Sequence, residues 1–323
     1  MLSILAAIYG KVIDVRNRLY DLGVFDTFDL GARTISIGNV TTGGTGKTPL
    51  VASVAKELAD RGETVCILTR GYGRKDVNKR VLVSDGERLL ADVTDSGDEP
   101  YELAEKLLGK AIVIADADRV DAAEWALRRF GVTAFVLDDG FQHRKAKRDV
   151  DIVCIDAMNP FGGGKVLPAG RLREPLVNLV RADVVVITRA DLVDDNSYLR
   201  SQISELASNA SIFESGNKIV NADDLAGLRA FAFCGLGNPD NFYQTVKREG
   251  IEIVGRRSFA DHQVYSQTDI KTIEFDASTV VADCLITTAK DAVKLREMRF
   301  AMPLHVVEIQ IEIDDEQGFA ASL

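Results

Sequence analysis

The residues best suited to chemistry stand together early in the chain, in Gly38-Asn39-Val40-Thr41-Thr42-Gly43-Gly44-Thr45-Gly46-Lys47-Thr48, between an apolar strand (Thr34–Ile37) and a helix opening at Pro49. Glycines let successive backbone N–H groups turn toward one anion, and a helix N-terminus adds partial positive charge. A lysine in this place reaches the β- and γ-phosphates, and the following hydroxyl sits on Mg²⁺. The loop departs from G-x-x-x-x-G-K-[ST], because Thr41 stands where the first glycine belongs and Gly43-Gly44 supplies the turn instead. Thr41 to Thr48 are therefore expected to cradle a nucleoside triphosphate.

Two acidic pairs could serve such a cradle. Phe135-Val136-Leu137 ends in Asp138-Asp139, where an acid at the carboxyl end of a strand would hold Mg²⁺ beside Thr48. Asp98-Glu99, in Ser96-Gly97-Asp98-Glu99-Pro100, reads either as a helix cap or as a general base near the sheet edge. Glu99 is counted with Thr48, Asp138 and Asp139 as metal-facing. Among three histidines, His305 lies in an apolar strand, whereas His262 falls in a polar loop with room for a catalytic or orienting role. Thr188-Arg189-Ala190-Asp191, after the strand Val184–Ile187, matches the [NT]-[KR]-x-D element by which GTPases read guanine. It supports an alternative reading, a soluble nucleotide-switch or metal-delivery GTPase or ATPase.

The elements that must hold these residues alternate from residue 31 onward. Apolar runs at 64–69, 111–115, 132–137, 150–155 and 184–188 are separated in several places by helical stretches, at 50–61, 100–108 and 120–130. That rhythm predicts an α/β fold, a P-loop NTPase-like parallel sheet with helices on both faces. The polar segment 194–226 reads as a domain boundary, and the rhythm then restarts as a smaller α/β lobe. The expected organisation is an N-terminal amphipathic helix over 1–30, a kinase domain over 31–215 and a second lobe over 216–323.

In the first twenty residues Ser3, Gly10, Lys11, Asp14, Asn17 and Arg18 form one stripe, and Ile4, Leu5, Ile8, Val12, Val15 and Leu19 spread over the other side. The helix either packs on its own domain or lies in a membrane surface with Lys11, Arg16 and Arg18 at the headgroups. Its apolar run is too short to span a bilayer. Of 323 residues, 46% are hydrophobic and 27% charged, the balance of a globular protein. A net charge of −10 without any basic tract argues against nucleic acid as a partner. The four cysteines, at 66, 154, 234 and 284, have no zinc spacing and read as buried free thiols of a reducing compartment. No obligate protein partner is evident.

Taken in order, these motifs resemble the tetraacyldisaccharide 4′-kinase family, the lipid A 4′-kinases of Gram-negative bacteria. The resemblance rests on the phosphate loop, Leu68–Arg74, Gly97–Pro100, Asp138–Arg144, Leu167–Pro175, Ala232–Pro239, Phe259–His262 and Thr287–Ala292. It implies transfer of the γ-phosphate of Mg-ATP to the 4′-hydroxyl of a tetraacylated glucosamine disaccharide 1-phosphate, at the cytoplasmic face of the bacterial inner membrane. It also implies that Asp98 and His262 act as a catalytic pair beside Lys47. Arg70, Tyr72, Arg119, Gln142, His143, Arg173 and Glu174 match polar positions around substrate and phosphate. Departures are Thr69 in place of a frequent serine, Ala289 in place of a frequent glutamate, and Gln263 where a second histidine is common. The last removes any supporting role expected of a histidine at 263.

Overall fold

The computed structural model describes residues 2–261 and 263–323. Its strands are β1 (Arg33–Asn39), β2 (Val65–Thr69), β3 (Val81–Ser84), β4 (Ala111–Ala115), β5 (Ala134–Asp138), β6 (Val150–Asp156) and β7 (Val184–Thr188). They continue as β8 (Ser211–Ile219), β9 (Arg229–Cys234), β10 (Glu252–Ser258), β11 (Cys284–Thr288), β12 (Leu304–Val307) and β13 (Ile309–Ile313). Nine of them form one sheet in the order β13-β8-β7-β6-β1-β5-β2-β4-β3, parallel except for the two edges. The other four form a wholly parallel sheet, β10-β9-β11-β12.

The central strands of the large sheet are buried along nearly their whole length, as Val- and Ile-rich runs covered on both faces must be. On one face Ile35, Ile37 and Val136 pack under Leu50, Val54 and Leu58 of the Lys47–Asp60 helix. On the other, Phe135 and Leu137 meet Ala122, Ala123 and Ala126 of the Arg119–Phe130 helix. β1 lies between β5 and β6, where successive connections leave to opposite sides. The crevice at the carboxyl end of such a strand is where open α/β sheets bind ligands, and the glycine-rich loop leaves β1 there.

The expected α/β fold and its second sheet are present, with two differences in detail. The polar segment 194–226 is no linker: it contains the Ser197–Leu206 helix and β8, which pairs in parallel with β7. β8 alternates buried and half-exposed residues because only its inward side meets the core, so its polar residues disguise a strand. The apolar run 304–313 is two strands, β12 in the small sheet and β13 beside β8 in the large one. Residues 309–323 thus return to the large sheet, where Phe319 meets Phe213 edge-on and Arg61 donates to the Ala320 carbonyl.

The four cysteines are free and buried. The Leu2–Asp21 helix packs inward by its small and polar stripe, burying Ala6, Gly10 and Asn17. Ile4, Leu5, Ile8, Val12 and Val15 face outward, each about half exposed or more. No helix among the described residues is long and apolar enough to cross a membrane.

Candidate active site

Lys47 opens its helix behind Gly46, whose φ of 75° is a left-handed conformation that glycine adopts without strain. The lysine ammonium stands 3.3 Å from Asp139. Arg173 holds the same carboxylate with contacts of 2.7 and 2.8 Å from one nitrogen. Burial opposes the charge of Asp139, but Lys47 and Arg173 outweigh it and hold the carboxyl at about 2. Its neighbour Asp138 is more deeply buried and accepts from the Thr69 hydroxyl at 2.8 Å. Burial, with the charges of Glu99 and Asp139, pushes Asp138 up to about 6. Two adjacent acids are thereby driven apart, one firmly ionised and one easily protonated until a cation arrives.

The second acidic pair is built differently. The N-cap position of the helix Asp98–Lys106, expected of Asp98, is held by Gly97, and Asp98 is the first helical residue. Gly97 is required here, since φ is 90° and a Cβ would lie 2.5 Å from the Tyr72 carbonyl oxygen. Asp98 meets the second lobe, where Lys294 approaches it at 2.8 Å. Lys290 bridges Glu99 at 3.5 Å and Asp261 at 3.0 Å. Arg296 extends the contact by donating to the Tyr101 hydroxyl and pairing with Glu105.

The platform under the lysines is Asp291, fully buried and accepting from the Gly235 amide, the Tyr265 hydroxyl and the Thr288 hydroxyl. His262 lies outside the described residues; Asp261, beside it, takes part in this cluster.

The remaining expected residues fall into three groups. Arg70 and Tyr72 are exposed on the loop after β2, open to a ligand. That loop is fixed by Arg74, whose buried guanidinium donates to the carbonyls of Val77, Lys79 and Ala115. Arg119 and His143 line the interior. Burial and the Arg119 charge lower His143 to about 4, so it is neutral at pH 7.

Gln142, Arg173 and Glu174 form a network with the N-terminal helix. Glu174 is 1% exposed and binds Arg181, Gln142 and Asn17. It organises its neighbours rather than offering oxygens to a ligand. Tyr9 donates to the Arg173 carbonyl, and Arg16 to that of Gln142. Arg16 is thereby turned to the site rim, not to the headgroups expected for it, while Lys11 and Arg18 remain exposed.

Among the described residues no group of three acids, cysteines or histidines is gathered to hold a metal by itself. The residues expected to face a metal, Thr48, Asp138, Asp139 and Glu99, offer hard oxygen donors. Few carboxylates with substrate phosphates completing the shell is the usual Mg²⁺ arrangement.

The profile of the tetraacyldisaccharide-1-P 4′-kinase (LpxK) family matches residues 1–323, the whole chain. The chain belongs to this family. A tetraacyldisaccharide 4′-kinase of Halothermothrix orenii is 40% identical over 91% of this chain and 82% of its own length. One from Geobacter metallireducens is 38% identical over 91% and 88%. The crystal structure of the "apo" form of LpxK from Aquifex aeolicus in complex with ATP superposes with a TM-score of 0.78. It is 31% identical and the match covers 98% of this chain and 96% of that one.

Membership of a kinase family sets the GTPase alternative aside. The site agrees, because the Asp191 needed to read guanine is already ion-paired with Arg248. Arg74, Lys290 and Asp291 fall inside motifs without an assigned role, and Lys294 falls outside them. Their deciding partners, Ala115 for Arg74, Glu99 and Asp98 for the two lysines and Gly235 for Asp291, lie tens to hundreds of residues away, a pairing that spacing does not reveal.

Proposed function

We propose that this tetraacyldisaccharide 4′-kinase works on its lipid at a membrane surface, through the residues gathered between the two sheets. The observation that carries the reading is that Glu99, next to the Lys294-bound Asp98, lies near enough to Asp138 to raise its carboxyl, beside the Lys47–Asp139 pair. ATP phosphates lie against the loop Thr41–Thr48. Thr48 and Asp138, with Asp139 and Glu99 near, would hold Mg²⁺, which would supply positive charge to the transferring phosphoryl group. Lys47 reaches the β- and γ-phosphates from its place beside Asp139.

Asp98 accepts the proton of the sugar 4′-hydroxyl as its oxygen attacks the γ-phosphorus and the bond to the β–γ bridging oxygen breaks. Lys294 holds that carboxylate in place, and His262 orients it. Arg70, Tyr72 and Arg173 are placed to meet the polar disaccharide 1-phosphate. The outward apolar face of the N-terminal helix rests on the bilayer that holds the acyl chains, the cytoplasmic face of the inner membrane, with Lys11 and Arg18 near lipid phosphates.

The direct experiment supplies the purified protein with γ-labelled ATP or GTP and the acylated disaccharide 1-phosphate in mixed micelles. Label from ATP in the lipid is expected. Label released only as inorganic phosphate, or transferred only from GTP, would refute the assignment.

A further inference from the structure

The Thr188–Asp191 element, unused for reading a base, is wired to the phosphate loop from behind. The Thr188 hydroxyl donates to the Thr45 carbonyl at 2.8 Å. Arg189 adopts a φ of 56°, uncommon for a residue with a side chain, and its guanidinium is largely buried. One of its nitrogens donates to the Gly44 carbonyl at 2.8 Å, and another pairs with Asp156 at 2.5 Å.

Peptide planes are trans, so each C=O points opposite to the N–H that follows it. Holding the Gly44 and Thr45 carbonyls on the β7 side therefore aims the N–H groups of Thr45 and Gly46 away from β7. A further contact fixes the same loop: Asn39 donates to the Thr45 hydroxyl at 2.9 Å, and a Cβ added to Gly46 would come within 3.4 Å of the Thr188 side chain.

The guanidinium also touches the small-sheet side. With the Asn241 amide turned to face it, the amide oxygen accepts from Arg189 Nη1 at 2.9 Å and Nε at 3.2 Å. Asn241 is buried on the Pro239–Arg248 helix, which follows β9. The same helix ends at Arg248, the partner of Asp191.

We propose that Thr188 and Arg189 are positioning residues that preset the phosphate loop for triphosphate, and that Asn241 links this setting to the second lobe. The proposal rests on the phosphate-loop reading. An anion nest gains affinity when its amides are oriented before the ligand arrives, because no ordering cost remains to be met on binding. A forked donor is needed to span Gly44, Asp156 and Asn241 together, a geometry that lysine cannot reproduce.

The test is calorimetric binding of the non-hydrolysable β,γ-methylene analogue of ATP, with steady-state kinetics alongside. Thr188→Val and Arg189→Met are expected to weaken analogue binding about tenfold or more and to raise the KM for ATP in step, with a smaller change in kcat; about tenfold is what one lost hydrogen bond of this kind commonly costs. Arg189→Lys is expected to rescue little. Asn241→Ala is expected to weaken binding in the native background and to add nothing in the Arg189→Met background.

Folded Thr188→Val and Arg189→Met proteins with native analogue affinity would overturn the buttress, and additive effects of Asn241 and Arg189 would overturn the link. Should Arg189→Met fail to fold, Thr188→Val, which removes one hydroxyl at constant shape, still decides. Lys47→Ala serves as the control: native analogue affinity in that variant would mean that the phosphate-loop reading itself has failed.

Discussion

The two acidic pairs, Asp138-Asp139 and Asp98-Glu99, invite comparison because each stands at an element boundary and Glu99 lies near enough to Asp138 to raise its carboxyl. Asp138-Asp139 is held entirely by its own sheet, through Thr69, Lys47 and Arg173. Asp98-Glu99 is held from the other lobe, by Lys294 and Lys290. The first pair is therefore ready whenever the large sheet is folded, whereas the second depends on where the second lobe sits. On the proposed reading the second lobe holds the Asp98 pair directly and reaches the phosphate loop only through Asn241 and Arg189, so lobe position is expected to weigh more on turnover than on ATP affinity.

The comparison can be broken most directly at Lys47. Lys47→Ala is expected to abolish measurable transfer, and Asp139→Ala to lose on the order of 10²-fold or more in kcat, both read in the labelled-ATP assay. Asp98→Ala is expected to lose roughly 10²- to 10⁴-fold in kcat with ATP affinity nearly unchanged. A matching loss of ATP affinity would show that the two pairs do not divide the work.

Lys294→Met sharpens the contrast further. It is expected to lower kcat about tenfold or more, with the KM for ATP little moved and Lys294→Arg largely active, because a nearly buried partner charge is removed from Asp98. Equal kinetics for Met and native enzymes would make the contact incidental.

A smaller effect is expected on acid stability. Burial and Arg119 lower His143 from its ordinary 6.5 to about 4. A folded value below the unfolded one favours the fold fully above about pH 6.5, and the advantage disappears as the pH falls toward 4. His143→Gln should therefore lose about 2 kcal/mol less than the native protein between pH 7 and pH 4, measured by urea unfolding of the ligand-free protein.

The least effect on the fold is expected from Ile4, Leu5 and Ile8 changed together to Ser, since all three side chains face outward. Thermal unfolding should move by only a few degrees, while sedimentation with anionic lipid vesicles should be lost. Retained sedimentation would remove the helix from the membrane reading.

Local features of this site were legible in the sequence, and relations between distant segments were not. A glycine-rich loop between a strand and a helix determines its own backbone shape, so Thr41–Thr48 could be read directly. Asp138-Asp139 followed from a strand ending in acids. Helical periodicity separated the two faces of Leu2–Asp21, but which face turns inward is set by Glu174, Arg173 and Gln142, more than a hundred residues away. The wiring of Lys290, Lys294 and Arg189 was hidden for the same reason. β8 escaped because half of its side chains meet water, and its polar letters outweighed its alternation.

The return of residues 309–323 to the large sheet gives the order of synthesis a meaning. β13 seals the edge beyond β8, and Phe319 and Leu323 complete the same core that packs the helix opening at Lys47. On a ribosome, residues 31–215 emerge well before that edge strand exists. The nascent nucleotide sheet must wait, with β8 unpaired on one side, until the whole second lobe has been made. An unpaired strand edge is a template for pairing with another chain, so a truncated chain that lacks β13 is expected to aggregate rather than to stand as a working ATP-binding fragment.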